Sequence, residues 1–218
     1  SFFAILAFLI SRTSVSEKIG KKIRRSYCKI ETKEKFSSGR NADMIVAGKI
    51  RCVNCMKKMN IVRHRCLWCG FRQETYQPLP YHMNPGTVLA NRYSIGRVMG
   101  EGNFGIVYLA WDMVLEQKTA IKEYFPKNAI RRDWIRGVDA HIKIENEKNF
   151  AAGKKQFERE AGYLSRFSRL DNVCRVVDYF NENDTAYIVT QYIEGMSLEK
   201  HMEKYGKFGE AQTVSLLL

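Results

Sequence analysis

Two groups of residues in this chain have the types and the spacing to do chemistry. The first is Gly100-Glu101-Gly102-Asn103-Phe104-Gly105-Ile106-Val107, followed by Ala120-Ile121-Lys122. Glycines at that spacing let a backbone lie against a bound phosphate, where a Cβ would obstruct it, and let it bend where other residues would be strained. A lysine one strand further on adds a point charge suited to phosphate. The second group is Cys52-x-x-Cys55, followed ten residues on by Cys66-x-x-Cys69. Each pair comes from a tight knuckle, and two knuckles place four soft thiolates at the corners of a tetrahedron. That is the ligand set of a structural zinc ribbon.

The elements around the glycines decide what they are for. G-x-G-x-x-G also serves dinucleotide-binding folds, where it opens a helix. Here Ile106-Val107-Tyr108-Leu109-Ala110-Trp111 follows, rich in β-branched and aromatic residues without helical punctuation, so the glycines sit between two strands. Glu123 stands near the place of a ribose-binding acid, but it directly follows Lys122 on what reads as a third strand. A buried lysine needs a counter-charge, because an unpaired ammonium is costly to desolvate. The segment Lys154 to Arg169 supplies one: Phe157, Ala161, Leu164 and Phe167 recur at helical spacing, and Glu160 falls on that apolar side. A surface pair of Glu160 with Lys155 or Arg169 is the bland alternative. Two strand-like runs follow, Val173 to Phe180 and Thr185 to Ile193, joined by the turn-rich Asn181-Glu182-Asn183-Asp184.

From about Gly86 these features together resemble the amino-terminal lobe of a bacterial serine/threonine protein kinase. Asn91-Arg92-Tyr93, Trp111-Asp112, Lys122-Glu123-Tyr124-Phe125-Pro126 and Tyr192-Ile193-Glu194-Gly195 carry the likeness further. The resemblance implies an α+β fold, with a five-stranded antiparallel sheet and one main helix. It implies ATP, with Gly100, Glu101, Gly102, Asn103, Phe104 and Gly105 over the phosphates and Val107 and Ala120 as the apolar roof over adenine. Lys122 would reach the α- and β-phosphates, with Glu160 as its partner. Thr190 would stand at the back of the adenine pocket, and Gln191 to Ile193 would form the hinge whose backbone bonds adenine. The activity implied is transfer of the ATP γ-phosphoryl group to protein hydroxyls. Serine/threonine rather than tyrosine rests on the resemblance, and the protein substrate is not legible.

The chain departs from the family pattern beyond the hinge. Leu198, Met202 and Tyr205 mark one short helix, and Ala211, Val214 and Leu218 begin another, in whose apolar repeat the sequence stops. No H-R-D, D-F-G or A-P-E motif occurs in it. Those motifs hold the catalytic aspartate and the metal ligands. The expectation is therefore a truncated kinase, inactive by itself, with Mg²⁺ used only by a full-length form. The alternative is a non-catalytic nucleotide-binding or interaction module, whose basic ribbon binds nucleic acid or a protein partner.

For the four cysteines the competing chemistry is disulfide pairing, which ATP-dependent work in the reducing cytosol disfavours. Redox catalysis by one C-x-x-C is disfavoured too, because the pairs duplicate each other without a strand-helix context. His64 lies close enough to substitute as a ligand, although four cysteines already fill the coordination. Cys28 and Cys174 stand singly, and Cys174 reads as a core residue in an apolar strand. From Met44 to Gln73 there is no acidic residue, while Lys49, Arg51, Lys57, Lys58, Arg63, Arg65 and Arg72 are present. Cations that offset thiolate charge explain this more simply than nucleic acid does. The net charge of +13 is spread over tail, ribbon and the stretch from Lys127 to Lys155, so it marks no single nucleic-acid stripe.

Four segments result: a poorly ordered tail (1–43), a zinc ribbon (44–72), a linker stiffened by Pro78, Pro80 and Pro85 (73–85), and the kinase lobe with the start of a second lobe (86–218). The stiff linker leads us to expect ribbon and lobe to be largely separate. In the tail, Phe2 to Ile10 is wholly apolar and a basic stretch follows. Nine residues are about half of what a spanning helix needs. Three readings stay open: the end of a membrane segment with a cytosolic basic flank, the remnant of a signal peptide, or translated sequence upstream of a start at Met44. The expected location is cytoplasmic, or membrane-anchored through that tail in a full-length form.

Overall fold

The computed structural model describes residues 49–60, 64–135, 139–167, 170 and 173–217. The tail at 1–43 lies outside these residues, and the ribbon is described from Lys49 onward.

Strands β1 (Lys49–Arg51) and β2 (Lys58–Asn60) pair antiparallel around the first knuckle. There Cys52 N–H bonds the Lys57 carbonyl at 3.0 Å and Met56 N–H bonds the Cys52 carbonyl at 2.8 Å. The second knuckle repeats the pattern, with Cys66 N–H on Phe71 O at 2.8 Å and Gly70 N–H on Cys66 O at 2.9 Å. Met56 (φ 59°) and Gly70 (φ 71°) occupy the same left-handed position in the two turns. Glycine takes that conformation freely, whereas Met56 needs its surroundings to hold it there.

The lobe is built on one antiparallel sheet. Its strands are β3 (Val88–Leu89), β4 (Tyr93–Gly102), β5 (Gly105–Asp112), β6 (Gln117–Tyr124), β9 (Val176–Glu182) and β10 (Thr185–Gln191), in spatial order β3-β4-β5-β6-β10-β9. The five expected strands are present, and the two-residue β3 adds a sixth at the edge. β9 begins three residues later than the apolar run from Val173 suggests. The turn after it holds Asn183 and Asp184 at φ 50° and 61°, the left-handed pair that a tight hairpin requires.

Period-two alternation divides the sheet into two faces. In the register Val107↔Lys122 and Leu109↔Ala120, these four side chains share one face. Helix α1 (Glu147–Arg166) packs on the part of that face built by β6, β9 and β10, burying Phe150, Phe157, Ala161 and Leu164, with Phe150 and Phe157 against the ring of Tyr124. It starts earlier than the apolar repeat from Lys154 predicts, because Asn146 caps it by accepting the Asn149 N–H at 3.1 Å. Short helices α2 (Leu198–Tyr205) and α3 (Glu210–Leu217) follow β10, as the sequence predicts. None of the helices among the described residues is long and apolar enough to cross a membrane.

The opposite face carries Ile106, Tyr108, Ile121 and Glu123, and a hairpin that the sequence reading missed covers part of it. Strands β7 (Ile130–Ile135) and β8 (Asp139–Ile144) pair in full register within a stretch that composition marks only as basic. Arg132 disguises the alternation: it is buried, ion-paired with the fully buried Glu123. Tyr108 and Tyr187 donate their hydroxyls to the same carboxylate, at 3.1 and 3.0 Å. Burial pushes the Glu123 carboxyl up, and Arg132 and the two hydroxyls oppose that shift.

Candidate functional site

The glycine loop is the hairpin of β4 and β5, with Gly100 and Gly102 at the end of β4, Gly105 at the start of β5 and Asn103-Phe104 turning between them. The glycines thus belong to a strand hairpin and open no helix, as their flanks predict. The three differ in what requires them. A Cβ on Gly105 would lie 2.5 Å from the Glu123 carbonyl, so the packing of β5 on β6 excludes one. A Cβ on Gly100 or Gly102 would meet nothing within 4 Å. Those two leave the surface of the loop backbone bare. Phe104 at the tip is 70% exposed.

Beneath the loop, β6 presents Lys122 and α1 presents Glu160 from the opposite side. Lys122 Nζ lies 2.7 Å from Glu160 Oε1, and the ammonium sits 5.4 Å from the centre of the Phe157 ring. Both side chains are about a quarter exposed, so a direct charge-assisted bond forms at the border of solvent. Glu160 thus pairs with Lys122, as the resemblance implies. Val107 and Ala120 lie on the same face as Lys122, and Thr190 stands directly opposite Ala120. The Thr190 hydroxyl donates to the Ala120 carbonyl at 3.4 Å.

The expected hinge is only partly open to a ligand. Gln191 N–H bonds the Arg175 carbonyl at 2.9 Å, and the Gln191 carbonyl accepts the Cys174 thiol at 3.4 Å. Cys174 is accordingly half-buried at the strand edge, rather than the core residue the sequence suggests. Ile193 is 65% exposed, and Lys118 ties this stretch to β6 by pairing with Glu194 and lying 4.9 Å over the Tyr192 ring.

The four cysteines converge as their spacing predicts. All four Sγ atoms lie within 4.8 Å of one another, with Cys52–Cys69 at 3.6 Å and Cys55–Cys66 at 3.7 Å. A tetrahedron of thiolates about 2.3 Å from zinc has edges of about 3.8 Å, so the cluster fits that ion. All four are free thiols. The Gln73 amide donates to Cys52 Sγ at 3.2 Å and the Asn54 amide to Cys69 Sγ at 3.6 Å, the outer bonds that orient ligands. Burial would push the Cys69 thiol up, but the Phe71 N–H, the Asn54 amide and neighbouring thiols outweigh it and bring it to about 7. Burial pushes Cys55 well up. His64 is not in the cluster; it lies 3.5 Å from Glu74 at the surface. Several of the basic residues are spent inside the ribbon, Arg51 on the Met56 carbonyl at 2.8 Å and Arg65 on the Gly70 carbonyl at 2.9 Å.

Ribbon and linker are not separate from the lobe. The Val53 carbonyl accepts the Arg97 N–H at 3.1 Å, Asn54 Oδ1 accepts Arg97 Nε at 2.7 Å, and Arg51 lies 3.9 Å over the Trp111 ring. In the linker, the Tyr76 hydroxyl accepts the Val98 N–H at 2.8 Å, and the Met83 N–H donates to the Tyr108 hydroxyl at 3.1 Å. His82 and Met83 are buried. The prolines suggest a spacer, but the aromatic residues between them make it a strap on the sheet. The contact joins residues far apart in the chain, so no local sequence signal marks it.

The sequence profile of the protein kinase domain matches residues 93–218. The chain belongs to the protein kinase family. Among its relatives is serine/threonine-protein kinase PrkC of Bacillus subtilis (strain 168), 30% identical over 132 residues, which are 61% of this chain and 17% of PrkC. Serine/threonine-protein kinase B of Synechocystis sp. is 26% identical over 151 residues, 63% of this chain and 24% of the relative. A solved structure, the PpkA-294 apo form, superposes with a TM-score of 0.57 at 35% identity, covering 62% of this chain and 47% of that one. The chain thus spans less than half the length of these proteins, and the kinase-domain match begins at Tyr93, the first residue of β4.

Proposed function

We propose that this kinase-family chain binds ATP between the glycine loop and Lys122, as the nucleotide-binding portion of a protein serine/threonine kinase. The observation that carries the reading is the 2.7 Å bond between Lys122 and Glu160. It fixes the ammonium beneath the bare backbone of Gly100 and Gly102, where the α- and β-phosphates would lie. Val107 and Ala120 supply the apolar surface for adenine, with Thr190 behind it. Because the Gln191 N–H is engaged by the Arg175 carbonyl, we assign the adenine-bonding donor to Ile193 rather than to Gln191.

Phosphoryl transfer needs a catalytic aspartate and Mg²⁺ ligands, and the motifs that supply them are absent from this sequence. The chemistry proposed for these residues is accordingly binding and orientation of the nucleotide, with protein hydroxyls as acceptors in a kinase that also contains those motifs. Cys52, Cys55, Cys66 and Cys69 would hold a structural Zn²⁺, which supplies cross-linking of the two knuckles and no catalysis. The cytosol suits both parts, offering ATP and keeping the thiols reduced.

Titration calorimetry with ATP tests the reading. With Lys122 as the main cation facing the triphosphate, dissociation in the range of hundreds of micromolar is expected, about 5 kcal/mol of binding free energy. Lys122→Met should abolish measurable binding. Unchanged affinity in that variant would overturn the assignment.

A further inference from the structure

We propose that the segment ahead of the lobe holds the phosphate loop from behind, with Glu101 as the held residue and His82 as the holding one. Both would be positioning residues for the nucleotide, so the inference rests on the nucleotide reading above.

Glu101 stands opposite Ile106, and Ile106 opposite Glu123, so its side chain belongs to the Tyr108–Glu123 face. That face is turned away from Lys122. A side chain there does not contact a nucleotide on the other face, yet it moves with Gly100 and Gly102 on either side of it. Three groups converge on its carboxylate: His82 Nε2 at 2.9 Å, the Tyr81 hydroxyl at 3.2 Å and Lys127 Nζ at 3.1 Å.

The holding group is built and not incidental. The His82 side chain is 7% exposed, and its Nδ1 accepts the Leu79 N–H at 3.1 Å. Nδ1 is therefore unprotonated, and Nε2 carries the hydrogen that it donates to Glu101. The ring meets Tyr81 edge-on at 4.7 Å, and Tyr81 stacks on Phe125 at 5.8 Å. Ribbon and strap together grip the root of the loop, the ribbon through Met56 against Gly96 and its bonds to Arg97, the strap through the Tyr76 hydroxyl on the Val98 N–H. A glycine-rich loop that orders over phosphates loses conformational entropy on binding, and a loop already held loses less.

The test uses the 218-residue chain with a fluorescent ATP analogue and amide hydrogen exchange across residues 100–106. Glu101→Ala and His82→Phe should each speed exchange in the loop by about tenfold, the scale of a lost bond to a charged group. Each should also weaken the analogue severalfold. The double variant should do no more than Glu101→Ala alone, which also loses Tyr81 and Lys127, and His82→Gln, which keeps a donor, should do less than His82→Phe. Unchanged exchange in the β9–β10 hairpin certifies that the fold is retained. Loop exchange unaffected by both single changes, or fully additive effects, would sink the proposal. A wild-type chain that ignores the analogue would remove the nucleotide reading instead, while loop exchange would still decide whether His82 holds Glu101.

Discussion

Met56 and Gly96 touch across the boundary between ribbon and lobe: a Cβ on Gly96 would fall 2.8 Å from Met56 Sδ and 3.0 Å from the Val53 carbonyl. Met56 is buried and held in a left-handed turn, so it has little room to withdraw. Gly96→Val should cost about 1–3 kcal/mol, as overpacking does. Urea unfolding checks this, and limited proteolysis should find the ribbon released first. A variant with wild-type stability would show that the two units do not depend on each other.

Metal removal should therefore be felt in the lobe. Purified protein is expected to carry one zinc per chain, measured by elemental analysis. Stripping it with a chelator, or changing Cys66 to Ser, unfolds the knuckles and frees Val53 and Asn54 from Arg97. The thermal midpoint of the lobe should then fall, whereas independent units would leave it unmoved.

The buried Glu123–Arg132 pair ties the β7–β8 hairpin to the back of the sheet. Arg132→Met would leave a buried carboxylate without its counter-charge, at a cost of about 3–5 kcal/mol. Changing Glu123 to Leu in the same chain should recover most of that loss, because the uncompensated charge goes with it. Denaturant midpoints of the two single variants and the double variant separate these outcomes; a double variant as unstable as Arg132→Met would contradict the account.

Asp112 should contribute to the acid sensitivity of the fold. Burial would raise its pKa, but Arg92 at 2.7 and 3.0 Å and the N–H groups of Val114 and Leu115 outweigh burial and hold it below the ordinary carboxylate value. A folded value below the unfolded one gives stabilisation that is complete above about pH 4 and is lost as pH falls through the folded value. Asp112→Asn should lower stability at neutral pH and flatten that acid loss. Urea midpoints at several pH values below 6 check it, and a parallel downward shift at every pH would count against this assignment.

Both groups with chemical spacing could be read from the linear chain because each is local. C-x-x-C sets two ligands on one turn, and glycine spacing with β-branched flanks sets a hairpin, whatever the rest of the fold does. Lys122 and Glu160 were also within reach, since helical periodicity puts Glu160 on the buried side and a buried lysine needs an acid. Tertiary structure alone decided what covers the back of the sheet. The β7–β8 hairpin escaped notice because Arg132 stands where alternation calls for an apolar residue, and only its pairing with Glu123 makes burial affordable. The strap escaped notice because prolines at Pro78, Pro80 and Pro85 mark a linker equally well whether it is free or packed. His82 meets Glu101, and Met56 meets Gly96, across separations that no local propensity encodes; such contacts exist only once hydrophobic burial has brought the strands together.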